Sequence, residues 1–260
     1  MSTTGGIPAD SARGHGQAER NPAGMASDLG ADSGGALDIR DALQRLASSK
    51  LTGPLAGRPH RSPSDDARDA AVLMLFGKGT MPRTDAGRSL LPKLEHAGMA
   101  DIDVLLLQRA ATLRHHAGQV AFPGGAVDAE DTDVTAAALR EAEEETGLAP
   151  DGVEVLGQLT PIFLPPSKFL VTPVVAWSPT QSPVRVMDHG ESASVYRVPV
   201  ADLLAAPNRG SYVHPSGYHG PAFDVGVLTV WGFTAGLLDF AFDQLSWALP
   251  WDSNRLIELR

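Results

Sequence analysis

The chain has 260 residues, 43% of them apolar, and sets 21 Lys and Arg against 31 Asp and Glu for a net charge of −10. That balance excludes a nonspecific nucleic-acid or anionic-membrane binder, which needs a basic surface. It leaves room for an anionic small molecule held through a divalent cation. Cysteine is absent, which excludes disulfides, thiolate metal sites and a cysteine nucleophile and fits a reducing, cytoplasmic compartment.

Residues 1–36 are rich in Gly, Ala, Ser and Asp without apolar periodicity and read as a disordered tail, with no basic stretch leading into an apolar run as in a secretory signal. Ile39, Leu43 and Leu46 recur at helical spacing, which predicts a short docked helix over Leu37 to Ala47 within a helix-and-linker segment, 37–68. Pro54 to Pro63 reads as loop within that linker. The folded domain is expected over 69–250, with 251–260 as a C-terminal tail. The apolar run Ala70 to Phe76, bounded by Gly77 and Gly79, predicts a buried strand, and Ile102 to Gln108 a second. Between them lies a Gly- and Pro-punctuated insertion with a helical turn at Leu90 to His96.

Val134 to Thr146 is predicted as a helix, capped by Thr132 or Asp133 and stopped by Gly147. Val153 to Leu159, Phe169 to Trp177 and Val195 to Val200 read as strands, Asp202 to Ala206 as a short helix, and Thr229 to Leu245 as a closing apolar helix. No apolar run approaches the roughly 20 residues a membrane span requires. Mixed strands with helices at separate places predict an α/β (α+β) sandwich with a mixed sheet.

The chemistry concentrates in Arg140-Glu141-Ala142-Glu143-Glu144-Glu145-Thr146-Gly147-Leu148, preceded by Pro123-Gly124-Gly125. On a helix, Glu141, Glu144 and Glu145 share one face at i, i+3 and i+4, a like-charge stack that is unfavourable unless a cation lies between. Hard carboxylate oxygens suit Mg²⁺ or Mn²⁺. Glu141 and Glu145 are placed to share the cation, with Glu144 ligating a second or positioning and deprotonating the attacking water, while Glu143 points to solvent. Arg140, one turn before Glu144, can pair with it and keep it ionised. Gly124 and Gly125 permit a sharp turn and leave amides open near the metal.

This run, with Gly125 ahead of it, resembles the box of the Nudix hydrolases. The family cleaves a nucleoside diphosphate linked to another moiety with Mg²⁺ or Mn²⁺, and the resemblance implies a Nudix α/β/α sandwich. Here Gly125 to Arg140 is one residue longer than the general pattern, and the usual Glu between them falls at Asp131 or Thr132. A branch of the family shares that length. Leu113-Arg114-His115-His116-Ala117-Gly118, followed by Phe122-Pro123-Gly124-Gly125, is similar to the extra motif of the coenzyme A diphosphatases, and Asp128, Asp131 and Asp133 fit that branch's acidic loop. Pro173-Val174-Val175 and the stretch from Trp231 to Ala235 resemble its C-terminal half.

The resemblance implies a coenzyme A type substrate split into 4′-phosphopantetheine, or its acyl form, and adenosine 3′,5′-bisphosphate. Arg109, Arg114 and His116 would meet its phosphates, since guanidinium forks match phosphate oxygens. His115 reads as a loop residue. Other nucleotide substrates (NADH, ADP-ribose, a nucleoside triphosphate) and a non-catalytic nucleotide sensor are the competing readings. No nucleic-acid or membrane partner is expected, and homodimerisation stays open.

Overall fold

The computed structural model describes residues 38–50, 67–113, 116–165, 167–214 and 217–259. The 1–36 tail, the Pro54 to Pro63 loop, Arg114 and His115 lie outside the described residues. Among the described residues, eight strands form one mixed sheet: β1 (Arg68–Lys78), β2 (Ile102–Arg109), β3 (Val120–Ala121), β4 (Gly124–Ala126), β5 (Glu154–Gln158), β6 (Ile162–Leu164), β7 (Phe169–Ser178) and β8 (Ser192–Pro199). The order is β3-β2-β1-β7-β5, with β4 on β1, β6 on β7 and β8 on β2. β1 and β7 run parallel over their whole length, and the remaining pairs are antiparallel.

Alternation along β1 divides the interior. Ala71, Leu73 and Leu75 pack against α4 (Val134–Thr146), whereas Met74 and Phe76 join the larger core with α1 (Ile39–Ala47) and α6 (Gly232–Gln244). The sheet is thus covered on both faces, as an α/β/α sandwich requires. α4 approaches closely because its buried face carries Ala137, Ala138 and Ala142. Its ends follow the local chemistry: Asp133 caps the first turn by accepting from the Ala136 N–H at 2.8 Å, and Gly147 ends it at φ 65°.

Several boundaries differ from the sequence reading. α1 buries Ile39, Leu43 and Leu46 in the main core and anchors Arg40 on Glu154, so it shares that core with the segment starting at residue 69. The insertion holds α2 (Asp85–Ser89) and α3 (Leu91–His96), and α5 covers Val200–Leu204. The long apolar helix expected from Thr229 begins only at Gly232, because Thr229–Val230 pairs as β11. With β9 (Arg209–Val213) and β10 (His219–Asp224), β11 forms a separate three-stranded sheet. Gly210, Gly220 and Pro221 break any alternating pattern in those strands, which is why periodicity missed them. Part of the stretch taken as a C-terminal tail is docked: Ser211 N–H donates to Arg255 O and Ile257 N–H to Ser211 O, each at 2.8 Å, and Ile257 is buried. No helix among the described residues is long and apolar enough to cross a membrane.

Candidate active site

The Pro-Gly-Gly turn is stapled to β1 by the Leu73 N–H donating to Pro123 O at 2.8 Å, and Gly124 and Gly125 stand opposite Val72 and Ala71. A Cβ on Gly124 would lie 2.2 Å from the Ala71 carbonyl oxygen, so no side chain fits there. A Cβ on Gly125 would lie 2.3 Å from Glu141 Oε1, so its absence leaves the space this carboxylate fills. Backbone and helix therefore meet without intervening side chains, and the Gly124 N–H donates to Glu145 Oε2 at 3.0 Å.

The three aligned glutamates have unlike surroundings. Glu145 is only 6% exposed, and burial pushes its carboxyl up to about 7, with the Glu141 and Glu191 charges adding and the Gly124 N–H and Arg109 opposing. Glu141 is half-buried; burial raises it and its bond from Arg140 holds it down. The Glu144 side chain is 59% exposed and meets Arg140 Nη1 at 3.1 Å. Glu143 is exposed.

Arg140 is the hub of this group. Its Nε and Nη2 donate to Asp131 Oδ1 and Oδ2 at 3.0 and 2.9 Å, Nη2 also to Ala126 O at 3.1 Å, and Nη1 to Glu141 and Glu144 at 3.1 Å each. Asp131 is its bidentate partner and is held below the usual carboxylate range by that guanidinium. Arg140 thus ties the acidic loop, the strand after the Gly-Gly turn and two glutamates of α4 together, a wider role than the pairing with Glu144 anticipated from spacing.

The expected three-carboxylate cluster is not assembled: among the described residues no group of three or more His, Asp and Glu is placed to hold a metal ion. Glu141 and Glu144 turn to Arg140 while Glu145 turns inward to Gly124. The donor chemistry nevertheless fits a hard cation at Glu145 and Glu141. Both are lifted by burial and then by neighbouring carboxylates, Glu145 by Glu141 and Glu191 and Glu141 by Glu144 and Asp128, the condition an added positive charge relieves.

Arg109 ends β2 with its Nε buried and without a partner among the described residues, and its charge acts on Glu145. His116 is exposed in the turn between β2 and β3, at φ 56°, with Nδ1 2.9 Å from Gln119 Oε1. Arg114 lies outside the described residues. Two residues were not singled out from sequence. Glu191 sits in the turn that Ser192 N–H closes on Asp188 O at 2.9 Å, and its carbonyl accepts from the Ala110 N–H at 2.8 Å. Ser192 is buried opposite Arg109, with its Oγ unpartnered. A lone Glu beyond a loop has no local pattern to betray it; only the register of β8 on β2 brings it here.

A NUDIX domain model matches residues 96–215, the span carrying the Gly-Gly turn, α4 and Glu191. The uncharacterized Nudix hydrolase NudL of Cronobacter sakazakii is 44% identical over 142 residues, covering 52% of this chain and 71% of that protein. The chain belongs to the Nudix hydrolase family. The NudL protein of Escherichia coli O6:H1 is 45% identical over 142 residues, again covering 52% of this chain and 71% of that protein. Among solved structures, the Nudix hydrolase RenU of M. smegmatis is 26% identical, covers 50% of this chain and 70% of its own, and has a TM-score of 0.37. Nudix hydrolases generally use divalent ions such as Mg²⁺ or Mn²⁺, and the carboxylates of α4 in this Nudix hydrolase offer such an ion oxygen donors.

Proposed function

We propose that this Nudix hydrolase cleaves the diphosphate of coenzyme A or its thioesters, giving 4′-phosphopantetheine (or its acyl form) and adenosine 3′,5′-bisphosphate. The observation that carries the chemistry is the convergence on Glu145: a buried carboxylate fixed by the Gly124 N–H, with Glu141 one turn away and Arg109 and Glu191 near enough to shift it. The substrate class rests on the Leu113 to Gly125 motif, which leads directly into that turn.

In this reading Glu145 and Glu141 hold Mg²⁺ or Mn²⁺, with Glu144 available as a further ligand. When bound, the ion supplies positive charge to the diphosphate oxygens and acidifies water. Glu144, exposed beside Arg140, positions and deprotonates the attacking water. Arg140 orients Glu141 and Glu144. Gly124 and Gly125 hold the backbone against α4, and the Gly124 N–H fixes Glu145. Arg109, with an unused buried Nε, faces the substrate phosphates, joined by Arg114 and His116 from the same motif.

The test is to incubate the purified chain with coenzyme A and Mg²⁺ or Mn²⁺ and identify both products by mass. Folded protein that leaves coenzyme A intact with either ion, yet hydrolyses NADH, ADP-ribose or a nucleoside triphosphate, would reassign the substrate and keep the metal site.

A further inference from the structure

At the other end of β1, beyond the Gly-Gly turn, a cavity of about 610 Å³ opens between the start of the insertion, the chain after β7 and the end of β8. Its volume falls in the range of small-molecule sites. Its wall reaches toward α4, because Val184 and Val195 pack in the core that α4 covers and the Arg185 N–H donates to Thr146 O at 2.9 Å, whereas Arg197 pairs with Leu105, four residues before Arg109 on β2.

Arg197 lines the cavity, with its side chain only 5% exposed. Its Nη1 donates to Asp103 Oδ1 at 3.2 Å. The other oxygen of Asp103 accepts from the Thr80 hydroxyl, and that hydroxyl accepts from Gln181 Nε2 at 3.1 Å. The carboxylate of this buried pair is thus satisfied on both oxygens, whereas the guanidinium is not: Nε and Nη2 have no partner among the described residues. Those two nitrogens form one edge of the guanidinium, the fork that takes two oxygens of one carboxylate or phosphate group. Idle buried donors are uncommon and point to an absent acceptor. Gly77 makes the placement possible, since a Cβ there would sit 2.6 Å from Arg197 Nη1.

The remaining lining matches such a guest. The exposed Arg83 adds a second positive charge to the lining. Met81, Val184 and Val195 supply apolar wall for a carbon body.

We propose that this cavity binds a small organic anion, its phosphate or carboxylate group seated on the Nε–Nη2 edge of Arg197 and its charge shared with Arg83. The seat at Arg197 lies four residues along β2 from Arg109 and includes none of the carboxylates of α4.

The experiment titrates inorganic phosphate and, separately, butyrate into the ¹⁵N-labelled full chain in EDTA, following guanidinium Nε–H resonances by NMR. A saturable shift of one Nε–H signal is expected with at least one probe, and which probe acts tells phosphate from carboxylate recognition. The shift should persist in Glu145→Gln, which disturbs only the hydrolytic centre. It should weaken roughly tenfold or more in Arg83→Glu, which reverses charge at the cavity mouth. Arg197→Lys, which keeps a charge beside Asp103 but removes the fork, should abolish it; if that variant does not fold, Arg83→Glu carries the test. Absence of any saturable shift with both probes, or a shift unchanged in Arg83→Glu, overturns the proposal and leaves Arg197 as the ion-pair partner of Asp103 alone.

Discussion

Two arginines at opposite ends of the sheet solve the burial of a guanidinium differently. Arg140 is partly exposed and its Nε, Nη1 and Nη2 are all engaged, across an acidic loop, a backbone carbonyl and two glutamates. Arg197 is almost wholly buried, spends one nitrogen on Asp103 and leaves two idle. The first is a finished truss that orients its neighbours; the second is a half-used fork. Saturated donors suit a residue that orients its neighbours, and the two idle nitrogens of Arg197 are those the proposed anion would engage.

The strongest way to break this contrast is at the buried carboxylate one turn from Glu141, which the Arg140 truss holds. Glu145→Gln should lower turnover by roughly a hundredfold or more, the scale of removing a charge-stabilising group, while the thermal transition on the acid side, where the parent carboxyl is protonated, stays near that of the parent. A large loss of stability instead would make Glu145 a structural group. Gly124→Ala comes next: its methyl would meet the Ala71 carbonyl at 2.2 Å. The backbone must shift, at about 3 kcal/mol in chemical denaturation; an unchanged midpoint would refute the close approach.

A pH effect of similar size follows from Glu145, whose carboxyl stands near 7 when folded against a model value of 4.5. The folded state then holds more protons than the unfolded chain between those values, so stability falls as pH rises from about 4.5 through 7 and levels off above. The full difference is at most about 3 kcal/mol. Denaturation of the metal-free protein across that window should show this slope, and Glu145→Gln should flatten it. Mg²⁺ should stabilise most on the alkaline side, where the carboxylate is charged.

Asp131→Asn is milder. It keeps one acceptor for Arg140 but removes the charged bidentate partner, costing about 1.5 kcal/mol. If the truss positions Glu141 and Glu144, turnover also drops while KM barely moves, whereas a merely structural Asp131 would leave kcat intact once the protein is folded. The smallest stability change is expected for Glu144→Ala, under about 0.5 kcal/mol, because its pair with Arg140 is exposed. Any substantial loss of turnover in that variant is therefore catalytic rather than structural.

Much of this arrangement was readable in order along the chain. The bounds of α4, its Asp133 cap and its Gly147 stop follow from local rules, and β1, β2 and β7 are continuous apolar runs long enough to stand out. Strands β9 and β10 were not readable, since Gly and Pro interrupt them and their stability comes from pairing with each other and from packing against α6. Docking of Ile257 against Ser211 was hidden for the same reason: it is a contact between distant segments with no periodic trace.

By itself the sequence determined that Glu141, Glu144 and Glu145 share one face of a helix behind a Gly-Gly turn, because that geometry depends only on the helical repeat and on the missing Cβ atoms. It could not rank three identical side chains. Only the tertiary structure buried Glu145 under Gly124, left Glu144 in solvent, tied Arg140 to Asp131 and brought Glu191 from a distant turn. Proton affinity depends on desolvation and on charges from other segments, and those are properties of packing rather than of order along the chain.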